Sequence, residues 1–209
     1  MRAMLDRQRA AFLQARPEPL ALRKDRIRRL IALLVDHGQA LAEAMNADFG
    51  NRSITQSLLT DVMPGVSFAR YCLKNLDRWA RPERRRTMFP LGLLGGRSEV
   101  RHEPKGVIGI VAPWNFPVGL VVSPMAQAFA AGNRCMVKPS EFTPETSALM
   151  ANLFARHFAP EEVGFCLGGA DAGQRFCGLP FDHLLFTGAT AIGRHVLHAA
   201  ADHLVPVAL

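Results

Sequence analysis

The sequence predicts an α/β fold, a parallel sheet clad by helices, and three observations carry that reading. First, Gly106 to Glu141 runs strand, turn, helix, strand, charged loop, which is a βαβ unit. Second, two further short apolar runs, Glu161 to Leu167 and Asp182 to Thr187, follow at helix-length intervals. Third, the first eighty residues carry apolar positions at helical rather than strand spacing.

Taken in order, residues 3 to 46 read as helical. Leu20, Ile27, Leu30, Leu34 and Leu41 recur at three, four and seven, with Arg, Lys and Asp between them. Pro17 and Pro19 divide a short helix from a longer one, and His37-Gly38 is expected to weaken or break the latter. Asp48-Phe49-Gly50-Asn51 reads as a turn. A helix from about Ile54 to Trp79 carries Leu58, Val62, Val66, Ala69 and Leu73 on one side, with a bend expected at Pro64. These helices (residues 1 to 80) read as cladding for the sheet, without chemistry of their own.

Arg81 to Glu103 is basic, then apolar, then turns at Gly95-Gly96 and alternates as Ser98, Val100, His102, the pattern of a β-hairpin. Its apolar part, Met88 to Leu94, would be an aggregation liability if left bare, so an oligomer contact is expected for residues 81 to 104.

Residues 105 to 209 carry the sheet. Val107, Ile108, Gly109, Ile110 and Val111 form an apolar run suited to a strand buried on both faces. Pro113-Trp114-Asn115-Phe116-Pro117 stops it with a rigid turn, since each proline fixes its own φ and restricts the residue before it. A small and apolar helix follows from Val118 to Ala131, closed by Gly132-Asn133. A strand from Arg134 to Val137 delivers Lys138, Pro139, Ser140 and Glu141 at its end. Thr143 is read as the N-cap of the next helix, with Pro144 at its first position and an end near Phe158. A brief helix from Gln174 to Leu179, a helix from Thr190 to Ala201 and a last strand near Pro206 complete the order. In open parallel sheets ligands sit where the strands end, which is where Asn115 and Lys138 fall. From pattern alone the same residues also fit a capped turn in an ordinary βαβ unit.

Composition narrows the classes. The 49% hydrophobic and 21% charged fractions are those of a globular protein, and no run reaches the roughly 18 apolar residues of a membrane span. The charged start, Met1 to Arg7, lacks a secretory h-region, and a cytoplasmic location is expected. Cys72, Cys135, Cys166 and Cys177 show neither CxxC spacing nor a nearby histidine pattern, so they read as buried reduced thiols and no metal site is expected. The net charge of +7 comes largely from Arg23 to Arg29 and Arg81 to Arg86. Only Trp79 and Phe89 flank the second cluster, too few aromatics for a single-strand binder, so no nucleic-acid partner is expected.

Ala112-Pro113-Trp114-Asn115-Phe116-Pro117, Gly132-Asn133, Lys138-Pro139-Ser140-Glu141 and Phe186-Thr187-Gly188-Ala189-Thr190-Ala191-Ile192-Gly193 occur in order. Together they resemble the motifs of the aldehyde dehydrogenase superfamily over nearly the whole chain. Ala47-Asp48-Phe49-Gly50 and the basic stretch near Arg84 are similar to its coniferyl aldehyde dehydrogenase branch. The resemblance implies a Rossmann-type cofactor domain, N-terminal helices, a protruding oligomerisation hairpin, and a homo-oligomer, dimer or tetramer. It implies oxidation of an aldehyde to the acid with NAD, through a thiohemiacetal and a thioester.

On this resemblance Asn115 donates its amide to the oxyanion, and Lys138 and Glu141 hold the adenosine ribose. A carboxylate accepts from both ribose hydroxyls and repels a 2′-phosphate, which favours NAD, with NADP the alternative. Val111, Pro113, Trp114, Ser140, Gly169, Phe186, Thr187, Gly188, Ala189 and Ile192 would line the rest of the cofactor. Two departures stand out. Ala189 replaces the family's usual serine, so a hydroxyl donor to the pyrophosphate is missing. The general-base glutamate and nucleophilic cysteine motifs are not matched, so an N-terminal portion without its catalytic domain, inactive by itself, is expected. The competing readings are an inactive nucleotide-binding or oligomerisation fragment and, more weakly, a nucleic-acid binder.

Overall fold

Alternate residues of each short strand serve opposite faces of one sheet, which is why the strands are apolar throughout. The computed structural model describes residues 1–209. Five parallel strands lie in the order β5-β4-β3-β6-β7: β3 (Val107–Val111), β4 (Arg134–Lys138), β5 (Val163–Phe165), β6 (His183–Phe186) and β7 (Val207–Ala208). Ile108, Ile110, Cys135, Val137 and Val163 face one core, built with helices α2 (Leu20–Phe49), α4 (Met63–Trp79), α5 (Gly119–Ala130) and α6 (Pro144–His157). Val107, Met136, Leu184 and Phe186 face the second, built with α1 (Arg2–Gln14), α7 (Ala170–Cys177) and α8 (Thr190–Ala201). The sheet is therefore covered on both sides, as a parallel sheet requires.

The α/β expectation holds, and five local expectations are corrected. His37-Gly38 does not break α2, which runs 30 residues to Phe49. Gly38 is buried where α2 passes the 58–62 segment: a Cβ there would lie 3.4 Å from Val62 Cγ1. The expected turn begins only at Gly50, whose φ of 81° ends the helix. The expected helix from Ile54 is not a bent α-helix. It starts as α3 (Ile54–Ser57), widens to a π turn over Leu58–Val62, and resumes as α4 with Pro64 in the first turn. Proline has no N–H to continue the ladder, and the widening falls directly ahead of it.

Thr143 does not cap α6. Its hydroxyl is buried without a partner, and the orphan amides of Glu145 and Thr146 instead donate to Asp48 Oδ1 and Oδ2, each at 2.9 Å. Finally, α7 begins at Ala170, four residues ahead of the expected Gln174, and ends at Cys177. The Gly132-Asn133 stop is as read: Gly132 has φ 85°, and Asn133 N donates to Ala128 O at 2.8 Å. Asn133 Oδ1 then accepts from Lys105 N and Gly106 N, fixing the entry to β3.

The hairpin pairs β1 (Glu83–Arg85) with β2 (Ser98–Val100), separate from the main sheet. Met88, Phe89, Leu93 and Leu94 on its tip are each more than 70% exposed. No helix is long and apolar enough to cross a membrane, and no cluster of His, Cys, Asp and Glu is placed to hold a metal.

Candidate functional site at the strand ends

The strand order creates the site. From β3 the chain passes over one face through α5 to β4. On the other side of β3 lies β6, whose following helix α8 packs on the opposite face. The loops leaving β3 and β6 thus part to opposite faces, and the crevice between them is where ligands of such sheets sit.

Three predicted residues close this edge in one rung. Val111 lies opposite Lys138 on β4 and opposite Phe186 on β6. Ala112 N donates to Lys138 O at 3.1 Å, and Thr187 N donates to Val111 O at 3.0 Å. Lys138 is buried, and its ammonium donates to Pro139 O at 2.7 Å and to Glu141 Oε2 at 3.2 Å. Two of its three N–H groups are spent, which leaves one for a ligand hydroxyl. Glu141 is exposed, so its remaining lone pairs face solvent. Ser140 is buried, and its hydroxyl accepts from Phe142 N, so it shapes the loop.

Gly169 precedes α7 with open space around it, and Gly173 on the first turns of that helix lies beside the Lys138 side chain. Gly188 leaves β6 against the Phe186 ring, where a Cβ would come within 2.5 Å of Cζ. Ala189 is the N-cap of α8 and supplies no side-chain cap, and Ile192 in the first turn is 53% exposed.

The turn after β3 presents its residues outward. Pro113 is half-buried and Trp114, Asn115 and Phe116 are exposed. Asn115 is anchored by its backbone carbonyl, which accepts from Arg52 Nη1 at 2.8 Å, while the residue as a whole is exposed. Sequence reasoning missed the residues beneath this turn. Asp61 is fully buried and accepts from the amides of Gly119 and Val118, capping α5 from another helix. Burial raises its pKa, opposed by those two amides and by Arg52. Asp48 does the same for α6. The helices that start at this edge thus differ: α5 and α6 are already capped by carboxylates, whereas α7 and α8 have no side-chain cap, and α8, which follows β6 beside β3, offers free amides to an anion.

Of the four thiols, Cys166 and Cys177 lie near enough to Lys138 for its charge to act on them, while Cys72 and Cys135 belong to the core on the other face. All are buried, and burial pushes Cys72, Cys166 and Cys177 up and Cys135 up to about 12, the opposite of an activated nucleophile. A cavity of about 600 Å³ opens at the hairpin root, lined by Arg23, Leu76, Trp79, Glu83 and His102 among others, at the far end of the sheet from the crevice.

Comparison with known proteins agrees with this geometry. The profile described as "Aldehyde dehydrogenase family" matches residues 1–209, and the chain belongs to that family. Among its relatives, a protein described as probable coniferyl aldehyde dehydrogenase from Caulobacter vibrioides is 48% identical, over 100% of this chain and 43% of its own length. The coniferyl aldehyde dehydrogenase of a Pseudomonas species is 47% identical, over 98% of this chain and 42% of its own. A substrate-bound Staphylococcus aureus AldH structure superposes with a TM-score of 0.92 at 29% identity, over 98% of this chain and 44% of that one. The chain therefore spans less than half the length of these relatives.

Proposed function

We propose that this chain is the cofactor-binding portion of an NAD-dependent aldehyde dehydrogenase that oxidises an aldehyde, coniferyl or another aromatic one, to the carboxylic acid. The observation that carries the reading is the single rung of Val111, Lys138 and Phe186, with the Asn115 turn leaving its middle strand, the Lys138–Glu141 pair on one side and Gly188 with α8 on the other. The residues fit a nicotinamide dinucleotide. One free ammonium donor and one exposed carboxylate suit a ribose diol, and the uncapped α8 suits a pyrophosphate. When bound, that cofactor accepts the hydride.

The chain's own residues then divide the work. Glu141 accepts from the two ribose hydroxyls and disfavours a 2′-phosphate, so NAD is preferred to NADP. Lys138 supports the same ribose and holds Glu141 in place. Gly188 and the first amides of α8 meet the pyrophosphate without the hydroxyl that a serine at position 189 would add. Asn115 offers a neutral donor from a turn pinned by prolines, which needs no reorganisation as negative charge grows on the carbonyl oxygen. Every thiol here is buried and raised, so none is poised to attack, and on this reading the attacking thiolate is not supplied by these 209 residues. The exposed apolar hairpin tip is the surface for homo-oligomer contact, as a dimer or tetramer.

A second reading, a nucleotide-binding or oligomerisation fragment without activity, is favoured by the same buried thiols. Both agree that this chain alone, given NAD and an aromatic aldehyde, accumulates no NADH; accumulation would place the nucleophile among its four cysteines. They separate in an enzyme that joins this chain to a catalytic portion. There Asn115→Ala lowers kcat by about a hundredfold, the cost of one oxyanion donor, with cofactor affinity retained. An unchanged kcat removes Asn115 from the chemistry.

A further inference from the structure

The helices at the chain start read in sequence as inert cladding, yet two of their buried charges converge on the turn that carries Asn115. Arg52, on the link between α2 and α3, keeps only 9% of its side chain exposed. Its Nη1 donates to the Asn115 carbonyl at 2.8 Å. Its guanidinium carbon lies 4.9 Å from the Phe49 ring centroid and 5.5 Å from that of Phe116. Phe49 in turn packs on Trp114 at 6.0 Å between ring centroids. Arg52 therefore touches or backs all three exposed residues of the turn.

Asp61 completes the arrangement. It sits in the π turn, fully buried, with Oδ2 3.8 Å from Arg52 Nη2. Its carboxylate receives the amides of Val118 and Gly119, the residues that end the turn and start α5. A regular helix over residues 58–62 would rotate Asp61 out of this register, and such one-turn widenings recur where a helix must aim a side chain. A buried arginine and aspartate are costly to desolvate and give little net stability, so a positional role explains them better than a stabilising one.

We propose that Arg52 and Asp61 are positioning residues: they clamp the two ends of the Asn115–Gly119 backbone so that the Asn115 amide is held toward the reacting carbonyl. The inference rests on the proposed role of Asn115 but is tested separately from it. The only tryptophans are Trp79 and Trp114, so in a Trp79→Phe background acrylamide quenching of this chain reports on the turn alone. Arg52→Ala raises Trp114 quenching, and Arg52→Lys, which keeps one donor, restores part of the protection. Unchanged quenching in Arg52→Ala overturns the clamp, whatever Asn115 does.

The catalytic half of the inference is read in the enzyme that contains this chain. Arg52→Ala lowers kcat by about tenfold to a hundredfold, the range for a displaced catalytic group, while the KM for NAD stays constant. In an Asn115→Ala background the same substitution costs nothing further, because there is no amide left to misplace. Additive losses would make Arg52 a general structural residue and sink the positioning role. If Asn115→Ala itself leaves kcat intact, the proposed chemistry of Asn115 fails and the positioning role falls with it, while the quenching result still decides the clamp.

Discussion

Lys138 shows how a residue's meaning depends on where its strand ends. Its stem is buried between Gly173 and the β4 loop while its ammonium reaches Glu141. Pattern alone reached this residue, because an apolar strand ending in a charged loop marks the ligand edge of a parallel sheet. Asp61 and Arg52 gave no such signal. Their partners are 57 to 63 residues away, and no local spacing encodes a contact of that range. The cysteines were legible as small buried hydrophobes, and they make a direct prediction. A thiol reagent at pH 8 labels none of the four in the native chain on the timescale that labels all four in denaturant. Fast native labelling of any one would contradict its burial and its raised pKa.

Elements here are held at their ends by other elements. Proline at the first position marked the start of α6 correctly, but the cap came from Asp48, 97 and 98 residues earlier, and not from the adjacent Thr143. Local capping rules place a helix end well and name its partner poorly when a better acceptor arrives from the tertiary fold. Asp48→Ala therefore costs about 1 to 2 kcal/mol in urea unfolding, whereas Thr143→Ala costs less. The reverse order would restore the local cap. The same tertiary override explains α2: Gly38 is a poor helix former, but Leu34, Leu41, Ala42 and Met45 are fully buried around it and carry the helix through.

Across the whole molecule, the edge opposite the crevice is bound by a buried ionic cluster. Arg26 bridges Glu18 and Glu162, Arg29 donates to both oxygens of Glu162 at 2.9 Å, and Arg134 lies 3.7 Å from Glu18. Burial pushes Glu162 up, but hydrogen bonds from Arg29 and Arg26 outweigh it and bring its pKa down from 4.5 to about 2. A carboxylate depressed on folding contributes stability that is complete above its unfolded value and lost as pH falls toward the folded one. Between pH 5 and pH 2 the chain should lose on the order of 2 kcal/mol from this group after solvent screening. Glu162→Gln should flatten that part of the urea-stability profile, and an unchanged acid slope would remove Glu162 as its source. The hairpin acts at the same scale: Leu93→Lys with Leu94→Lys should shift the chain toward monomer in sedimentation, and an unaltered distribution would place the contact elsewhere.

On the reading proposed above, the strand-end crevice is a nicotinamide dinucleotide site with Glu141 on the ribose. Calorimetric titration of NAD into the 209-residue chain, wild type against Glu141→Ala, tests it most directly. Saturable one-site binding is expected, weakened about tenfold by the substitution through loss of a charge-assisted hydrogen-bond acceptor. Equal affinity in the two proteins, or no binding by a folded wild-type chain, would contradict it.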